Sequence, residues 1–446
     1  MANETIVAIA TPPGRGGIGV VRVSGQGLGS TLRALVAVEV IPRRATRADF
    51  LGSDGKVIDQ GLVLFFAAPH SYTGEDIIEL QGHGGPVVLQ LLLQRCLELG
   101  ARLAEPGEFT KRAFLNDKLD LAQAESVADL IDASTVQAAR CAMRSLQGEF
   151  SQQINEMVQA LTALRIWVEA TLDFPEEDVE LLERGNIRAR LEALRLQLAK
   201  IIAASQQGRL LREGIQVVLA GQPNVGKSSV LNALAGAARA IVTEIAGTTR
   251  DAIRETIHVK GVLLHVIDTA GLREPRDPVE RIGIAKTWEA ITTADLVLWI
   301  SDTTRPETRE VDPALAARLP AGASRLQVVN KIDLLGTEPC LILQTGVREV
   351  AVSAKFGVGL DLLRSAILEA VGWGNTEEGV FMARERHVQA LKIAASHLDE
   401  ASARTHEIEI FAEELKLAQN ALSSITGEIS ADDLLGKIFA SFCIGK

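Results

Sequence analysis

GQPNVGKSS (221–229) fits the pattern G-x-x-x-x-G-K-[ST], and its flanks decide what the match means. An apolar, β-branched run, IQVVLA (215–220), leads into it, and a helical run, SVLNALAG (229–236), leads out. Strand, glycine-rich loop and helix in that order predict a turn whose backbone N–H groups point at a phosphate chain. Lys227 adds positive charge there, and the Ser228 hydroxyl suits Mg2+.

Further along the chain, DTAG (268–271) ends another apolar run. The Asp268 carboxylate suits the outer coordination of the same ion, and the Gly271 amide can meet the terminal phosphate. NKID (330–333) ends a third run. Asp333 can accept hydrogen bonds from the ring N–H and exocyclic amine of guanine; adenine would leave that carboxylate unpaired, at a heavy penalty. SAK (353–355) completes a base pocket through the Ala354 amide, and TEIAGTTRD (243–251) reads as a switch segment, with Thr248 or Thr249 closing over the metal and Thr249 preferred. Together these elements predict a GTP-binding domain.

The segment carrying them, 214–372, alternates strands (IQVVLAG, LHVIDTAG, DLVLWISD, LQVVNKID) with helical stretches, the βα pattern of a doubly wound sheet. On either side the texture is helical. From about 119 to 173 breakers are almost absent, and Phe150, Ile154, Val158, Leu161 and Leu164 fall on an amphipathic stripe. A turn at DFPEED (173–178) and a helix over 186–214 follow, and two more helical runs lie beyond about 377. Residues 1–118 read instead as strands (TIVAIA, IGVVRVSG, GLVLFFAAP) with glycine-rich turns and one helix, GPVVLQLLLQRCLELG, stopped by Gly100. The expected architecture is a multidomain α/β and α+β chain: an α+β domain (1–118), a discontinuous helical domain (119–213 and 373–446), and a nucleotide domain (214–372) inserted into it.

Composition narrows the function. The 446 residues carry 46 Lys and Arg against 57 Asp and Glu, a net charge of -11 that argues against a chain gripping nucleic acid unaided. Residues 1–120 hold 12 basic and 13 acidic side chains, so the acidic excess lies downstream and a local patch or a partner must attract any RNA. No apolar run approaches the length of a membrane helix, and the amino terminus lacks the basic-then-apolar order of a secretory signal. Cys96, Cys141, Cys340 and Cys443 are far apart, as expected of reduced thiols in a cytoplasmic protein.

One position is anomalous. Where many GTPases carry a water-orienting glutamine after Asp-x-x-Gly, this chain has Leu272. Two residues offer a substitute. The Asn224 amide oxygen can hold a monovalent cation beside the phosphates, with the Thr243 and Ile245 carbonyls closing the cage. Glu280, in RDPVERIGI, can orient water. On residue chemistry alone an asparagine is more often a turn former, and a glutamate on a helix more often faces solvent.

GQPNVGKSS, IAGTTRD and DTAGLREPRDPVERIGI, with the flanking segments, resemble the MnmE (TrmE) family of tRNA-modifying GTPases over essentially the whole chain. The resemblance implies a Ras-like P-loop domain inserted into a helical domain and preceded by a tetrahydrofolate-binding α+β domain. It implies K+ held by Asn224, Thr243, Ile245 and Thr248, Mg2+ held by Ser228 and Thr249, and Glu280 as catalytic carboxylate; a leucine at 272 is then normal. Implied nucleotide contacts run over Asn224, Val225, Gly226, Lys227, Ser228 and Ser229, then Thr243, Glu244, Ile245, Ala246, Gly247, Thr248 and Thr249. They continue through Asp268, Thr269, Ala270 and Gly271 to Asn330, Lys331, Asp333, Ser353, Ala354 and Lys355.

At the amino terminus, GRGGIG (14–19) formally matches a dinucleotide fingerprint, but the strand-like VVRVSG after it is the wrong context. The resemblance instead puts contacts to a tetrahydrofolate derivative (5-formyl- or methylenetetrahydrofolate) at Arg22, Glu79 and Lys118; a carboxylate suits a pterin and cations suit the glutamyl tail. His83 in QGHGG has no visible partner and reads as structural. The chain ends SFCIGK, a poor prenylation box; in the family Cys443 is required for modification and Lys446 contacts folate. The implied assembly is a homodimer joined to the flavoprotein MnmG, which carries FAD, in an α2β2 complex that modifies carbon 5 of the wobble uridine in tRNA. Two alternatives remain: an RNA-binding GTPase of ribosome assembly, which explains neither Arg22, Glu79, Lys118 nor Cys443, and a free-standing aminomethyltransferase-like enzyme with a regulatory GTPase.

Overall fold

A computed structural model of the chain describes residues 4–173, 186–236, 254–268, 291–310, 323–344, 347–374, 380–428, 432–440, 442–443 and 445. It forms two compact units: Met1–Asp132 with Ala142–Leu198 and Gln389–Lys446, and Ala133–Cys141 with Ala199–Val388.

In the first unit six strands, β1 (Ile6–Ile9), β2 (Gly16–Gly25), β3 (Thr46–Leu51), β4 (Val57–Phe66), β5 (Asp76–Gly84) and β6 (Arg102–Leu103), form one sheet in the order β3-β4-β5-β2-β1-β6. All pairings are antiparallel except β1 with β6. Alternation along the strands sends Val21, Val23, Ile78 and Leu80 into a core against α1 (Gly29–Leu35) and α2 (Pro86–Glu98), which supply Leu32, Leu35, Leu89, Leu92 and Cys96. The residues between them, Arg22 and Glu79 among them, face the other way. Gly100 ends α2 with φ +96°, as its place after the last apolar residue predicts. GRGGIG enters a strand, not a helix, so the dinucleotide reading falls.

The helical part of this unit holds α3 (Glu108–Leu115), α4 (Leu121–Asp132), α5 (Val136–Leu146, shared with the other unit), α6 (Glu149–Asp173), α7 (Ile187–Glu213, shared likewise from Ala199 on), and, nearer the carboxy terminus, further helices numbered below. The breaker-poor run 119–173 is three helices, divided near 133–135 and at Gly148, whose φ is +93°. The stripe on α6 is buried: Phe150, Ile154, Leu161 and Leu164 are all at most 1% exposed.

In the second unit seven strands run β12-β13-β11-β10-β7-β9-β8. They are β7 (Ile215–Ala220), β8 (Arg254–Val259), β9 (Val262–Asp268), β10 (Leu296–Asp302), β11 (Ser324–Asn330), β12 (Leu341–Gln344) and β13 (Val347–Ala351). The middle five are parallel, and β8 and β12 are antiparallel edges. Every residue of β10 is buried, which is why it reads as an unbroken apolar run and not an alternating one. Helices α8 (Lys227–Gly236) and α9 (Leu360–Ala370) belong here. This unit reaches beyond 214–372 because Gly208 of α7 lies against the Phe381 backbone and Arg209 pairs with Asp295 and Glu385.

The carboxy-terminal helices are α10 (Glu385–Ala403), α11 (Ile408–Thr426) and α12 (Asp432–Ala440). In the first unit α11 packs along α6, and Arg165 donates to Gln419 at 2.6 Å. Leu435, Ile438, Phe439 and Phe442 bury against Leu121 and Ala124 of α4, so the end of the chain is anchored on the amino-terminal half of its own unit.

Candidate nucleotide site and a polar cluster on the amino-terminal sheet

The phosphate loop lies at the carboxyl end of β7, flanked by β10 and β9, where an open parallel sheet offers its crevice. Each carbonyl in its first half is engaged. Lys227 Nζ donates to Gly221 O at 2.8 Å and Gln222 O at 3.2 Å. Arg305 Nη2 donates to Pro223 O at 3.3 Å, Lys331 Nζ to Asn224 O at 2.8 Å, and Asn330 Nδ2 to Val225 O at 3.0 Å. Because a trans peptide sets C=O and N–H on opposite sides, holding these carbonyls turns the following amides the other way. The result is a concavity of N–H groups at the start of α8, suited to an anion. The loop needs unusual backbone: Gly221 at φ +142°, Asn224 at +66° and Gly226 at +97°. A Cβ on Gly221 would lie 2.2 Å from Ile300 O, and one on Gly226 would lie 2.4 Å from Asn330 Nδ2.

Asn330 ties this loop to the base-side loops. It is 2% exposed, and its Oδ1 accepts from the Ala354 amide at 3.1 Å. The amide expected to meet the base thus also holds Asn330. Ser353 Oγ donates to Asp333 Oδ1 at 2.5 Å, orienting the carboxylate expected to meet guanine, and Lys355 Nζ stands 5.2 Å from the centre of the Phe356 ring. Ser228 and Ser229 are exposed in the first turn of α8. Asp268 closes β9, beside β7, with its main chain in register with Leu219.

Sequence reasoning missed Asp302 and Arg305. Asp302 ends β10 and is 4% exposed; its Oδ2 lies 2.7 Å from Lys331 Nζ, and its Oδ1 accepts from the Thr304 amide and hydroxyl. Burial favours the neutral acid, but Lys331 and Thr304 outweigh it and hold the carboxyl at about 2. The only sequence signal was an acid at the end of a buried strand. Thr243, Glu244, Ile245, Ala246, Gly247, Thr248, Thr249, Thr269, Ala270, Gly271, Leu272, Glu280 and Lys446 lie outside the described residues. Among the described residues no group of three or more His, Cys, Asp or Glu side chains is arranged to hold a metal ion.

On the amino-terminal sheet Arg22 of β2 and Glu79 of β5 are register partners and form a two-point pair, Nε and Nη2 on Oε1 at 2.9 and 2.8 Å. The guanidinium carbon lies 5.9 Å from the centre of the Tyr72 ring and 5.8 Å from that of Phe109. The tail closes one side: Arg22 Nη1 reaches Gly445 O at 3.5 Å, Gly107 N–H donates to Cys443 O at 3.3 Å, and Gly445, at φ +99°, lies so near β1 that a Cβ would sit 2.6 Å from Ile9 O. Cys443 is exposed, whereas burial pushes the Cys96 thiol up to about 12. Lys118 is not in contact with this pair; its Cγ flanks Gly74, and it lines a cavity of about 430 Å³ with Phe114, Asp120, Asn155 and Glu428.

The expectation that His83 has no partner is corrected, while its reading as a structural residue stands. Its ring is exposed, and both its amide and Nδ1 bond the Asp59 carboxylate, each at 2.7 Å. The contact escaped the sequence because Asp59 belongs to the neighbouring strand β4.

A doubly wound sheet with a phosphate loop at its crevice defines a P-loop nucleotide-binding protein. Residues 5–118 match the family model for the GTP-binding protein TrmE N-terminus, and 121–443 the model for the MnmE helical domain. The tRNA modification GTPase MnmE of Azoarcus sp. (strain BH72) is 59% identical over 443 residues, covering 99% of this chain and 98% of its own. That of Nitrosomonas europaea is 57% identical over 450 residues, with 100% of both chains covered. Among solved structures, the FeoB G-domain from Methanococcus jannaschii covers 35% of this chain and 97% of its own at 28% identity and a TM-score of 0.26. The chain belongs to the MnmE family of tRNA modification GTPases: it binds and hydrolyses GTP in the modification of tRNA. Among the described residues no helix is long and apolar enough to cross a membrane.

Proposed function

We propose that the chain is a K+-dependent, cytoplasmic GTPase that works with the flavoprotein MnmG, as a homodimer within an α2β2 complex. Together they add an aminomethyl or carboxymethylaminomethyl group to carbon 5 of the wobble uridine. The observation that carries this reading is the Arg22–Glu79 pair with the Cys443–Gly445 tail against it. A ribosome-assembly GTPase has no use for such a cluster. A partly buried carboxylate held by a guanidinium, beside two aromatic rings, suits the amide-like edge and flat face of a pterin. The residues therefore fit a tetrahydrofolate derivative, which when bound supplies the one-carbon unit; Glu79 and Arg22 would orient it and the tail would shield it from water. Lys118 enters as a contact to its anionic tail by resemblance alone, as does Lys446.

At the nucleotide site the donor set also fits. Ser228 and Thr249 offer the hard oxygens Mg2+ takes, Asp268 suits its outer coordination, and Asn224 with Thr243, Ile245 and Thr248 offers neutral oxygens suited to K+. The amides of the loop bind and orient the phosphates, Asp333 selects guanine, and Glu280 orients the attacking water in place of the missing glutamine. FAD belongs to the partner. The deciding experiment is mass spectrometry of wobble nucleosides from a strain whose only copy is Cys443→Ser or Glu79→Gln. Loss of the 5-substituent with GTP hydrolysis intact is expected; fully modified tRNA in both strains would defeat the group-transfer reading.

A further inference from the structure

Two adjacent carbonyls of the phosphate loop are each capped by a cationic side chain, and both cations lead to one carboxylate. Lys331 Nζ bridges Asn224 O at 2.8 Å and Asp302 Oδ2 at 2.7 Å. Arg305 Nη2 caps Pro223 O at 3.3 Å, while its Nε lies 3.9 Å from the same Asp302 oxygen. The segment after Asp302 is itself fixed. Thr308 Oγ1 accepts from the Asp302 amide at 2.9 Å, Trp299 Nε1 donates to Thr308 O at 3.1 Å, and Gln222 Nε2 reaches Glu307 O at 3.4 Å. Residues 302–308 thus form a buttress behind the first half of the loop, and the carboxylate at its base is almost wholly buried.

Asn224 is the residue this buttress constrains most. Its backbone is left-handed, a conformation that asparagine tolerates better than most residues but that still has to be held by its surroundings. Lys331 is left-handed too, at φ +67°, and its ammonium can cap Asn224 O only while an anion keeps the side chain extended in that direction. Without the Asp302 charge, Lys331 and Arg305 would repel each other and turn to solvent. The Asn224 carbonyl would then be released, and the side chain attached to that residue would lose its fixed aim.

We propose that Asp302 is a positioning residue for the monovalent-cation site: through Lys331 and Arg305 it fixes the Asn224 backbone and so presents the Asn224 amide oxygen at one place beside the phosphates. The inference rests on the cation reading of Asn224 above. It goes further in naming residues outside the nucleotide motifs that set how tightly the cation is held. The contacts of Asp302 are with the scaffold itself, Lys331, Arg305, Thr304 and Thr308.

The test pairs steady-state GTP hydrolysis by the full chain, titrated with KCl at constant ionic strength and saturating GTP, with thallium NMR of Tl+ binding to the chain loaded with a non-hydrolysable GTP analogue, which reads the cation site apart from turnover, for wild type, Asp302→Asn, Asp302→Glu and Arg305→Ala. Asp302→Asn should raise the half-saturating K+ at least about fivefold while leaving the plateau rate within about twofold, because only the presentation of the cation ligand is loosened. Asp302→Glu, which restores the charge, should fall between wild type and Asp302→Asn. Arg305→Ala, which removes the outer strut and whose side chain is 42% exposed, should shift half-saturation in the same direction by less, and it carries the test if Asp302→Asn does not fold. A lowered plateau with unchanged half-saturation in folded variants overturns the inference and leaves the cation reading standing. A wild-type rate indifferent to K+ overturns both.

Discussion

Replacing Asn330 by alanine tests whether the phosphate loop is held from behind. The Asn330 amide group serves two backbone groups at once, accepting from Ala354 N–H at 3.1 Å and donating to Val225 O at 3.0 Å, at a position 2% exposed. Truncation leaves a backbone donor and a backbone acceptor unpaired where water has little room. Each is worth about 1–2 kcal/mol, so the total is about 2–4 kcal/mol. Both bonds join protein groups, so the loss falls first on stability; for a unit of this size it lowers Tm by on the order of 10 °C. The Val225 half falls on binding as well, because the loop must be re-aimed before its amides can meet a phosphate, and GDP should bind at least about tenfold more weakly. Asn330→Asp separates the halves: it keeps an acceptor for Ala354 but sets a carboxylate oxygen against Val225 O, and should weaken GDP as much as alanine does. Calorimetric titration with GDP and differential scanning calorimetry read the two effects. A Tm within about 2 °C of wild type and a Kd within about twofold would refute the account of a loop supported through its carbonyls.

Three other outcomes are expected. Glu280→Ala should leave GTP affinity near wild type and slow hydrolysis at least about tenfold, as loss of a water-orienting group does; an unchanged single-turnover rate would remove Glu280 from the mechanism. Gly445→Val places a side chain where even a Cβ meets Ile9 O at 2.6 Å, so the tail should leave Arg22, and wobble modification should fall while GTP turnover persists; intact modification would mean the docked tail is dispensable. Burial pushes Glu108 up, but Arg102, Arg112 and the Glu105 amide outweigh it and hold its carboxyl at about 2 against 4.5. A depressed carboxyl adds stability that is fully present above about pH 4.5 and is lost as pH falls toward 2. Glu108→Gln should therefore flatten the acid limb of the pH–stability curve, and an unchanged slope would assign that limb to other groups.

The parts legible in the sequence were those whose signal is local. Phe150, Ile154, Leu161 and Leu164 recur at helical spacing and are buried, and IQVVLA and DLVLWISD are strands because a parallel sheet covered on both faces demands unbroken apolar runs. The phosphate loop was legible because its glycines sit where φ is positive and its flanks are strand and helix. The illegible parts join residues across strands. Asp302 lies 29 residues from Lys331, and Asp59 lies 24 from His83. Their partnership is set by sheet order and register, which no spacing rule in the chain reveals. The same holds for Gly445 against Arg22, 423 residues apart. Strand β3, helices α1 and α3, and the break near 133–135 escaped because short elements carry too few residues to show a period.

The carbonyl contacts also divide the labour of the GTPase site between two kinds of residue. Asn330, Lys331 and Arg305 hold Val225, Asn224 and Pro223 through contacts within the protein, so little binding energy need be consumed in ordering the anion nest. A charge-stabilising site works best when its dipoles are fixed before charge develops, since none must then reorient during the reaction. Changes to this scaffold should therefore appear in nucleotide affinity and in the concentration of cation needed. A change to Glu280, proposed to orient water and not to hold the loop, should appear in turnover alone. A chain with leucine at position 272 has no side-chain amide there to hold water, and a loop already fixed gives whatever groups replace it a defined place to act.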